Sequence, residues 1–157
     1  MQNHDVTKLD RLASAGRLFY VKNVYQNQSA VLTYLWKVGA KAATASFAVK
    51  GTLKTNYSIK EAPTVTANGT AGTMLNRNRN YPDDGLLMKR YTGPTASSGT
   101  EIFPGQVGST SAPGQSSESP ASTVELDLKK NTDYLVTVTP SAANDVVIEV
   151  LFWEDDE

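Results

Sequence analysis

The closing segment of the chain, Val146 to Trp153, places apolar side chains on both faces of a predicted β-strand. Successive side chains of an extended strand point to opposite faces, and Glu149 is the only polar residue in this segment. A strand of a small two-sheet sandwich has one buried face. The second apolar face therefore needs a cover, which either the chain's own N-terminal arm or a second subunit would supply.

The side chains that need this second cover are Val147, Leu151 and Trp153. We predict that they lie at a subunit interface, so that the chain is an assembly protein rather than a solitary enzyme. The opposite set of side chains on the same strand belongs to the core, and consists of Val146, Ile148, Val150 and Phe152.

The rest of the chain consists of short β-rich runs separated by turn residues. In residues 31–38, for example, Leu32, Trp36 and Val38 alternate with Thr33 and Lys37, as in a half-buried strand. Similar runs occupy residues 18–25, 44–50, 55–62, 86–93 and 100–105, with an edge strand at 63–66 and three closing strands separated by turns at 129–131 and 141–145. About eight to ten such strands predict an all-β fold, an antiparallel, jelly-roll-like β-sandwich.

We predict one β-sandwich domain over residues 17–157, preceded by an arm over residues 1–16. The arm has the composition of about one or two helical turns, in which Leu9 and Leu12 share a face and Gly16 ends the helix. Asp5 or Thr7 would cap its N-terminus. A Gly/Ser/Pro-rich loop is predicted from Pro104 to Ser122.

Composition excludes several classes of function. The chain has no cysteine, which excludes disulfides, thiolate catalysis and cysteine-ligated zinc. A formal net charge of −1 gives no general attraction to nucleic acid or to an anionic membrane. No apolar run approaches the roughly 18 residues needed to span a bilayer, and the N-terminus has no signal-peptide pattern. We expect a soluble protein made in the cytoplasm, with no cofactor.

The sequence offers little acid–base chemistry. His4 is the only histidine and lies in the polar arm, so a histidine-based triad within the sandwich is not possible. Carboxylates are sparse within the predicted strands, and we take Glu101 and Glu149 as the only in-strand candidates for a catalytic carboxylate pair; we expect both on outward faces. We therefore predict no enzymatic activity.

Two acidic segments resemble cation sites only superficially. Asp83, Asp84 and Gly85 match a fragment of a calcium loop without its later ligands, and a β-turn is the better interpretation. The tail from Glu154 to Glu157 is expected to be a solvated, charge-repelling terminus.

The segment Asn76–Asn80 alternates amides with guanidinium groups. In an extended conformation Arg77 and Arg79 would share one face and present forked donors. We predict that they form a hydrogen-bond network between loops or between subunits. A second set of side chains could line a sugar site but is more typical of a core, and comprises Phe19, Tyr20, Tyr25, Tyr34 and Trp36.

Three segments together carry a resemblance to a known family. They read GTAGTMLNRNRN, KRYTGPTASSGTEIF and LDLKKNTDYLVTVTPSAANDVVIEVLFWE, and they lie between Leu53 and Glu154. This order resembles small structural proteins encoded in the virion modules of tailed phages, which share an Asn-Arg-Asn loop, a TGPT segment, an L-K-x-NT-x-YL hairpin and a closing strand ending in W/F-x-E. Met74 departs from the Pro or Thr that the family pattern has before its leucine.

The resemblance implies a virion component, synthesised in the host cytoplasm and carried on the capsid surface. It implies a trimeric head decoration or cement protein that binds the major capsid protein. The resemblance does not cover the arm, and we hypothesise separately that the arm, with Leu9 and Leu12, reaches onto the shell or a neighbouring subunit. A receptor- or carbohydrate-binding module of a head or tail fibre, and a neck or tail structural protein, are the alternatives that stay open.

Overall fold

A computed structural model describes residues 2–108 and 121–155, with side chains described for residues 8–108 and 123–155. Within these ranges the chain has one helix and thirteen strands. Their bounds are α1 Gln2–Ser14, β1 Phe19–Gln28, β2 Leu32–Lys37, β3 Ala43–Gly51, β4 Thr55–Glu61, β5 Thr64–Ala67, β6 Thr70–Gly72, β7 Leu75–Asn76, β8 Lys89–Thr92, β9 Thr95–Ser97, β10 Thr100–Val107, β11 Ala121–Leu128, β12 Asp133–Pro140 and β13 Asn144–Glu154.

The strands form two large antiparallel sheets and one small one. Sheet A has the order β11-β3-β13-β1-β7, sheet B has the order β10-β4-β12-β2-β8-β6, and β5 pairs with β9. The pairing is nested: the first strand pairs with the last, β2 with β12, β3 with β11 and β4 with β10. The predicted all-β antiparallel sandwich is confirmed.

The core lies between sheets A and B. Trp36 of sheet B makes edge contacts with Phe47 and Phe152 of sheet A, with ring centroids 5.8 and 5.3 Å apart. Phe47 in turn contacts Tyr57 of sheet B. The even-numbered set of the closing strand, Val146 to Phe152, is buried in this cluster as predicted.

Helix α1 is longer than the predicted one or two turns and begins upstream of both predicted caps. Gly16 ends it as predicted, with φ of +72°. The N–H of Gly16 donates to the oxygen of Ala13 and the N–H of Arg17 to that of Leu12, which is the Schellman pattern. The helix is longer than its local signal indicates because its apolar side packs on the sandwich, and tertiary contact stabilises short helices.

The three closing strands follow the predicted segments, but they do not form a hairpin. β11 and β13 belong to sheet A and β12 belongs to sheet B, so both short turns cross from one sheet to the other. A polar turn has the same composition whether it joins neighbours or crosses a sandwich, which is why the predicted β11–β12 hairpin is wrong.

The predicted loops contain further short strands. β6, β7 and β9 lie between the predicted strands and were not expected. The predicted edge strand at 63–66 corresponds to β5. The loop predicted from Pro104 to Ser122 is shorter at both ends, because β10 runs to Val107 and β11 begins at Ala121; its residues 109–120 lie outside the described residues.

Candidate interaction surface

The outward sides of β1 and β13 form a continuous strip on sheet A. Three cross-strand pairs make it up: Tyr20 with Leu151, Lys22 with Glu149, and Val24 with Val147. The side chains between them point inward, since Val21 and Val150 belong to the core. We call these six outward residues the open face.

The open face alternates apolar and charged pairs. Val24 keeps 60% of its surface exposed although its partner Val147 is half-buried. Lys22 and Glu149 are exposed and directly opposite each other, which places opposite charges side by side. Glu149 thus lies on an outward face, as predicted. The strip has the mixed composition of a protein–protein contact rather than that of a basic nucleic-acid surface.

Helix α1 covers the end of sheet A next to the open face. Leu12 packs with Leu18 and Trp153, with Leu9 and Leu151 beside them. Trp153 is therefore only 4% exposed, and the Nζ of Lys8 lies 5.3 Å from the centre of its ring. The sequence allows the second apolar face of the closing strand to be covered either by the arm or by a second subunit. At Trp153 the arm covers it.

This arrangement bears on five residues that the sequence assigns to interfaces. Leu9 and Leu12, assigned to a shell contact, lie against their own sandwich, and Trp153 lies beneath them. Leu151 borders the helix and the open face, and Val147 lies on the part that α1 does not reach. An intermolecular role for Trp153, Leu9 or Leu12 would require α1 to lift from the sheet.

Arg77 and Arg79 lie beside the open face. Together with Tyr20, Glu149 and Leu151 they line an open groove of about 450 Å³. Arg77 is exposed, and no carboxylate among the described residues forms an ion pair with it. The structure therefore brings together three of the predicted interface residues, Arg77, Arg79 and Leu151, in one groove.

Arg79 has a partner within its own loop. Its Nη1 donates to Oδ1 of Asp83 at 2.7 Å and to the oxygen of Asn76 at 3.2 Å. The hydrogen bond from Arg79, followed by that from the N–H of Asn76, lowers the pKa of Asp83 below its usual value. The Asp83 carboxylate in turn raises the pKa of Arg79.

The side chain of Asn76 is the centre of a hydrogen-bond network that fixes the conformation of the Asn-Arg segment. This residue is 1% exposed, and its Nδ2 donates to the oxygens of Gly16 and Pro82 while its Oδ1 accepts from the N–H of Asn78. The network joins the end of α1 to the turn at 80–85, so it is the inter-loop form of the predicted network. Because Asp83 is engaged by Asn76 and Arg79, the turn interpretation of Asp83, Asp84 and Gly85 holds, and no metal-binding cluster occurs among the described residues.

A second, polar groove lies on the outer side of sheet B. It has a volume of about 460 Å³, and its polar lining comprises Asn56, Ser58, Glu101, Gln106, Thr137 and Thr139. Ser58 Oγ donates to Oε1 of Glu101 at 2.7 Å. Alternation within β4 and β12 predicts that these side chains face outward, but no sequence signal indicates that the two strands are neighbours.

The predicted aromatic set is divided between core and surface. Phe19, Tyr34 and Trp36 are at most 4% exposed and belong to the core. Tyr20 lies on the open face, and the Tyr25 hydroxyl meets that of Tyr34 at 2.5 Å. None of the five lines the polar groove.

The acidic tail is only partly described. Glu154 is 8% exposed, and its carboxylate accepts hydrogen bonds from the N–H groups of Leu87 and Met88 at 3.0 and 2.9 Å, so this residue is held within the fold rather than part of a solvated tail. Asp156, Glu157 and the side chain of His4 lie outside the described residues. The one helix of the described chain is too short and too polar to cross a membrane.

No protein-family model matches the chain, and no curated protein matches it.

Proposed function

We propose that this protein is a non-enzymatic structural component of a tailed-phage particle, a decoration or cement protein that binds the major capsid protein on the head shell as a homotrimer. The observation that carries the proposal is the open face, where the exposed Val24 lies opposite Val147 and next to the opposite charges of Lys22 and Glu149. The resemblance to virion proteins is the reason for assigning this surface to a phage particle.

The strand order supports a jelly roll, which is the finer form of the sandwich. Nested pairing of first with last, second with second-last and so on is what results when a long hairpin with four strands in each arm is rolled into two sheets. Jelly rolls occur in viral capsid proteins, lectins and cupins. The fold alone therefore does not select a function, and the proposal depends on the open face.

The open face would act as the contact between subunits. Burying apolar surface contributes roughly 25 cal/mol per Å², before the cost of association. A stable interface needs about 800 Å² per partner, so Arg77 and Arg79 in the adjoining groove would also take part. Three linked subunits on one shell would then bind more tightly than one, because each further contact is intramolecular.

The arm would reach the shell through its polar side. Leu9 and Leu12 are engaged within the subunit, whereas Asp10 and Arg11 are exposed. Charge reversal of both exposed residues should lower the occupancy of the protein on capsids without changing its fold. Wild-type occupancy of the reversed variant would rule out the arm as a shell contact.

The experiment that tests the proposal measures the mass of the purified protein by light scattering and sedimentation, and then its co-sedimentation with undecorated capsids. The expected mass is three times 16.9 kDa. Val24→Glu should shift it toward the monomer, whereas Val31→Glu should not, because Val31 is similarly exposed at 53% but lies in the turn before β2. A monomer that does not bind capsids would overturn the proposal.

The polar groove on sheet B favours a second candidate, a carbohydrate-binding module of a fibre. Its amides, hydroxyls and the Glu101 carboxylate are groups that hydrogen-bond sugar hydroxyls. Among the described residues its one aromatic lining residue, Tyr57, is only 4% exposed, so they offer no exposed ring on which a sugar would stack. Binding on a glycan array that is lost in Asn56→Ala and kept in Val24→Glu would favour this function over decoration.

A further inference from the structure

The outer strands of the three sheets differ in how well they could pair with a further strand. β6, β7 and β9 have two or three residues and β5 has four, and very short edge strands resist further pairing. β10 is longer, but Pro104 has no N–H to donate, and the pairing of β10 with β4 is irregular between Glu101 and Phe103. β11 has eight residues and pairs with β3 over its whole length without a register shift.

The other side of β11 pairs with no strand that the structure describes, since β11 stands at the end of sheet A. An edge strand of this length presents a row of main-chain N–H and C=O groups that can form hydrogen bonds with another chain. Such strand addition takes its affinity from the main-chain hydrogen bonds and its specificity from the side chains at alternate positions. The side chains of β11 therefore indicate which segment would fit.

The outward side chains of β11 form an acidic row. Alternation along the strand places Thr123, Glu125 and Asp127 on its outer side, and all three are exposed. Asp127 Oδ1 accepts a hydrogen bond of 3.0 Å from the hydroxyl of Thr44, and neither carboxylate forms an ion pair with a described lysine or arginine. Side chains of an added strand would lie about 4.5–5.5 Å from this row, so cations at alternate positions would fit it.

The inward side chains of β11 leave apolar surface at the side of the sandwich. Leu128 is 1% exposed, whereas Val124 and Leu126 are only partly buried against the core. Ile102 and Phe103 of β10, the outer strand of sheet B, are partly buried in the same cluster. An added strand with apolar side chains on its inner side would continue the row of Val124 and Leu126 and bury more of this surface.

We propose that the outer edge of β11 binds an extended segment of a partner protein in which basic and apolar residues alternate. The basic side chains would lie beside Glu125 and Asp127, the apolar ones beside Val124 and Leu126, and the main chain would add one strand to sheet A. β3 separates this edge from β13 and the open face, so the site is distinct from the proposed contact between subunits and does not depend on a role in a virion.

A second copy of this chain fits the edge less well than a basic segment. Pairing β11 with its own copy would set the acidic row of one subunit against that of the other, and like charges on neighbouring strands are destabilising. Lys129 could offset these charges, but it lies beyond the end of β11, and its Nζ pairs with Oε1 of Glu61 at 3.2 Å.

The test adds the peptide Thr-Lys-Val-Lys-Val-Lys-Thr, blocked at both ends, to the isotope-labelled whole protein and follows the main-chain N–H signals by NMR. We expect shifts concentrated on β11 and an affinity that falls with added salt. The same peptide with its interior amides N-methylated keeps every charge but cannot join a ladder, and it should not cause these shifts. Failure of the first peptide to bind, equal binding of both peptides, or shifts centred on another surface would overturn the proposal.

Two variants separate the edge from the general charge of the protein. Glu125→Lys should weaken binding of the peptide by about three- to tenfold. Asp84→Lys makes the same charge change at an exposed residue after β7, at the opposite edge of sheet A, and should leave the affinity unchanged. Equal losses in the two variants would contradict a site at β11. If Glu125→Lys does not fold, Glu125→Gln should still weaken binding by roughly twofold.

Hydrogen exchange of the free protein tests the other possible occupants of the edge. The N–H groups of β11 that point away from β3 should exchange rapidly at every protein concentration. Slow exchange that appears only at high concentration would mean that a second copy pairs with β11. Slow exchange at every concentration would mean that the chain itself covers the edge, and either result would overturn the proposal.

Discussion

The side-chain amide of Asn76 donates a hydrogen bond of 2.9 Å to the main-chain oxygen of Gly16, across 60 residues of sequence. The same side chain donates to Pro82 and accepts from Asn78. A buried side chain thus satisfies the C-terminal turn of α1, the start of the Arg77–Asn80 segment and the turn that follows it. Gly16 has to be glycine here, since it has positive φ and a Cβ atom would lie 2.3 Å from the Tyr81 ring.

Asn76→Ala should lower the free energy of unfolding by about 2–3 kcal/mol, because it removes three part-buried hydrogen bonds that each contribute roughly 0.5–1.5 kcal/mol. Urea denaturation measures the change, with an unaltered m-value as the check that the mechanism of unfolding is the same. Asn80→Ala is the matched control. Asn80 is exposed in the same loop, and we expect a change within about 0.5 kcal/mol. Equal effects of the two substitutions would contradict the central role of Asn76 in this hydrogen-bond network.

Glu154→Gln should destabilise the protein by about 1–3 kcal/mol. The wild-type carboxylate accepts two main-chain N–H groups, from Leu87 and Met88, one on each oxygen. Glutamine has one side-chain oxygen, which can accept only one of these hydrogen bonds, and its N–H₂ group would face the second main-chain N–H, donor against donor. Chemical denaturation at neutral pH measures the loss, and Glu125→Gln on the exposed side of β11 is the control. A negligible difference between the two variants would mean that water replaces the carboxylate.

The contrast between β13 and Asn76 indicates what sequence can predict. Alternation along Val146–Phe152 predicts its buried face because each side chain's direction depends only on its own strand. The partners of Asn76 come from Gly16 and Pro82, and no local pattern of the Asn-Arg repeat identifies them.

The burial of Arg90 is another feature that the sequence of a single strand does not predict. It follows Lys89 in a sequence that reads as a solvated basic pair, yet Lys89 is exposed and Arg90 is buried. Which of two adjacent cations points inward depends on the register of β8 against Trp36 and Gly72. The candidate surface is only partly predictable from the sequence. The sequence shows that β13 has two apolar faces, but it does not show which part of the outer face α1 covers.

Trp153→Ala should detach helix α1 from the sheet. Trp153 is the largest side chain between Leu12 and Leu18, and large-to-small changes at buried aromatic positions cost about 3–5 kcal/mol. Far-UV circular dichroism should lose helical signal, and limited proteolysis should cleave within residues 2–14 before the sandwich unfolds. Val24→Ala, on the uncovered part of the same face, should leave both measurements unchanged. Retention of the helix in Trp153→Ala would show that other contacts hold α1.

Arg79→Met should raise the pKa of Asp83 toward its ordinary value of 3.8, since the hydrogen bond from Arg79 is the largest cause of the lowered pKa. A lowered folded-state pKa contributes stability above the ordinary pKa, and this contribution is lost as the pH falls through the folded-state value. The stability difference between wild type and Arg79→Met should therefore be present at neutral pH and disappear in acid below 3.8. Carboxyl NMR titration measures the pKa directly, and Arg77→Met should leave it unchanged.

Tyr134 should set part of the alkaline limit of stability. Burial raises its pKa to about 12, the N–H of Lys129 opposes this shift, and the hydrogen bond to Glu61 adds to it. A raised folded-state pKa contributes stability that is complete below the ordinary value of 10.0 and is lost as the pH rises through the folded-state value. The contribution should therefore fade between pH 10 and about 12.

Tyr134→Phe tests this directly. At neutral pH it should destabilise the protein, because Glu61 loses a donor and the N–H of Lys129 loses its acceptor. The deficit relative to wild type should shrink as the pH rises above 10.0, since deprotonation removes the same donor from the wild type. Phenolate absorbance resolves the titration by difference, and Tyr81→Phe, at a 44% exposed tyrosine, is the control. A folded-state titration of Tyr134 near pH 10.0 would mean that solvent reaches its hydroxyl, and the deficit would then not change with pH.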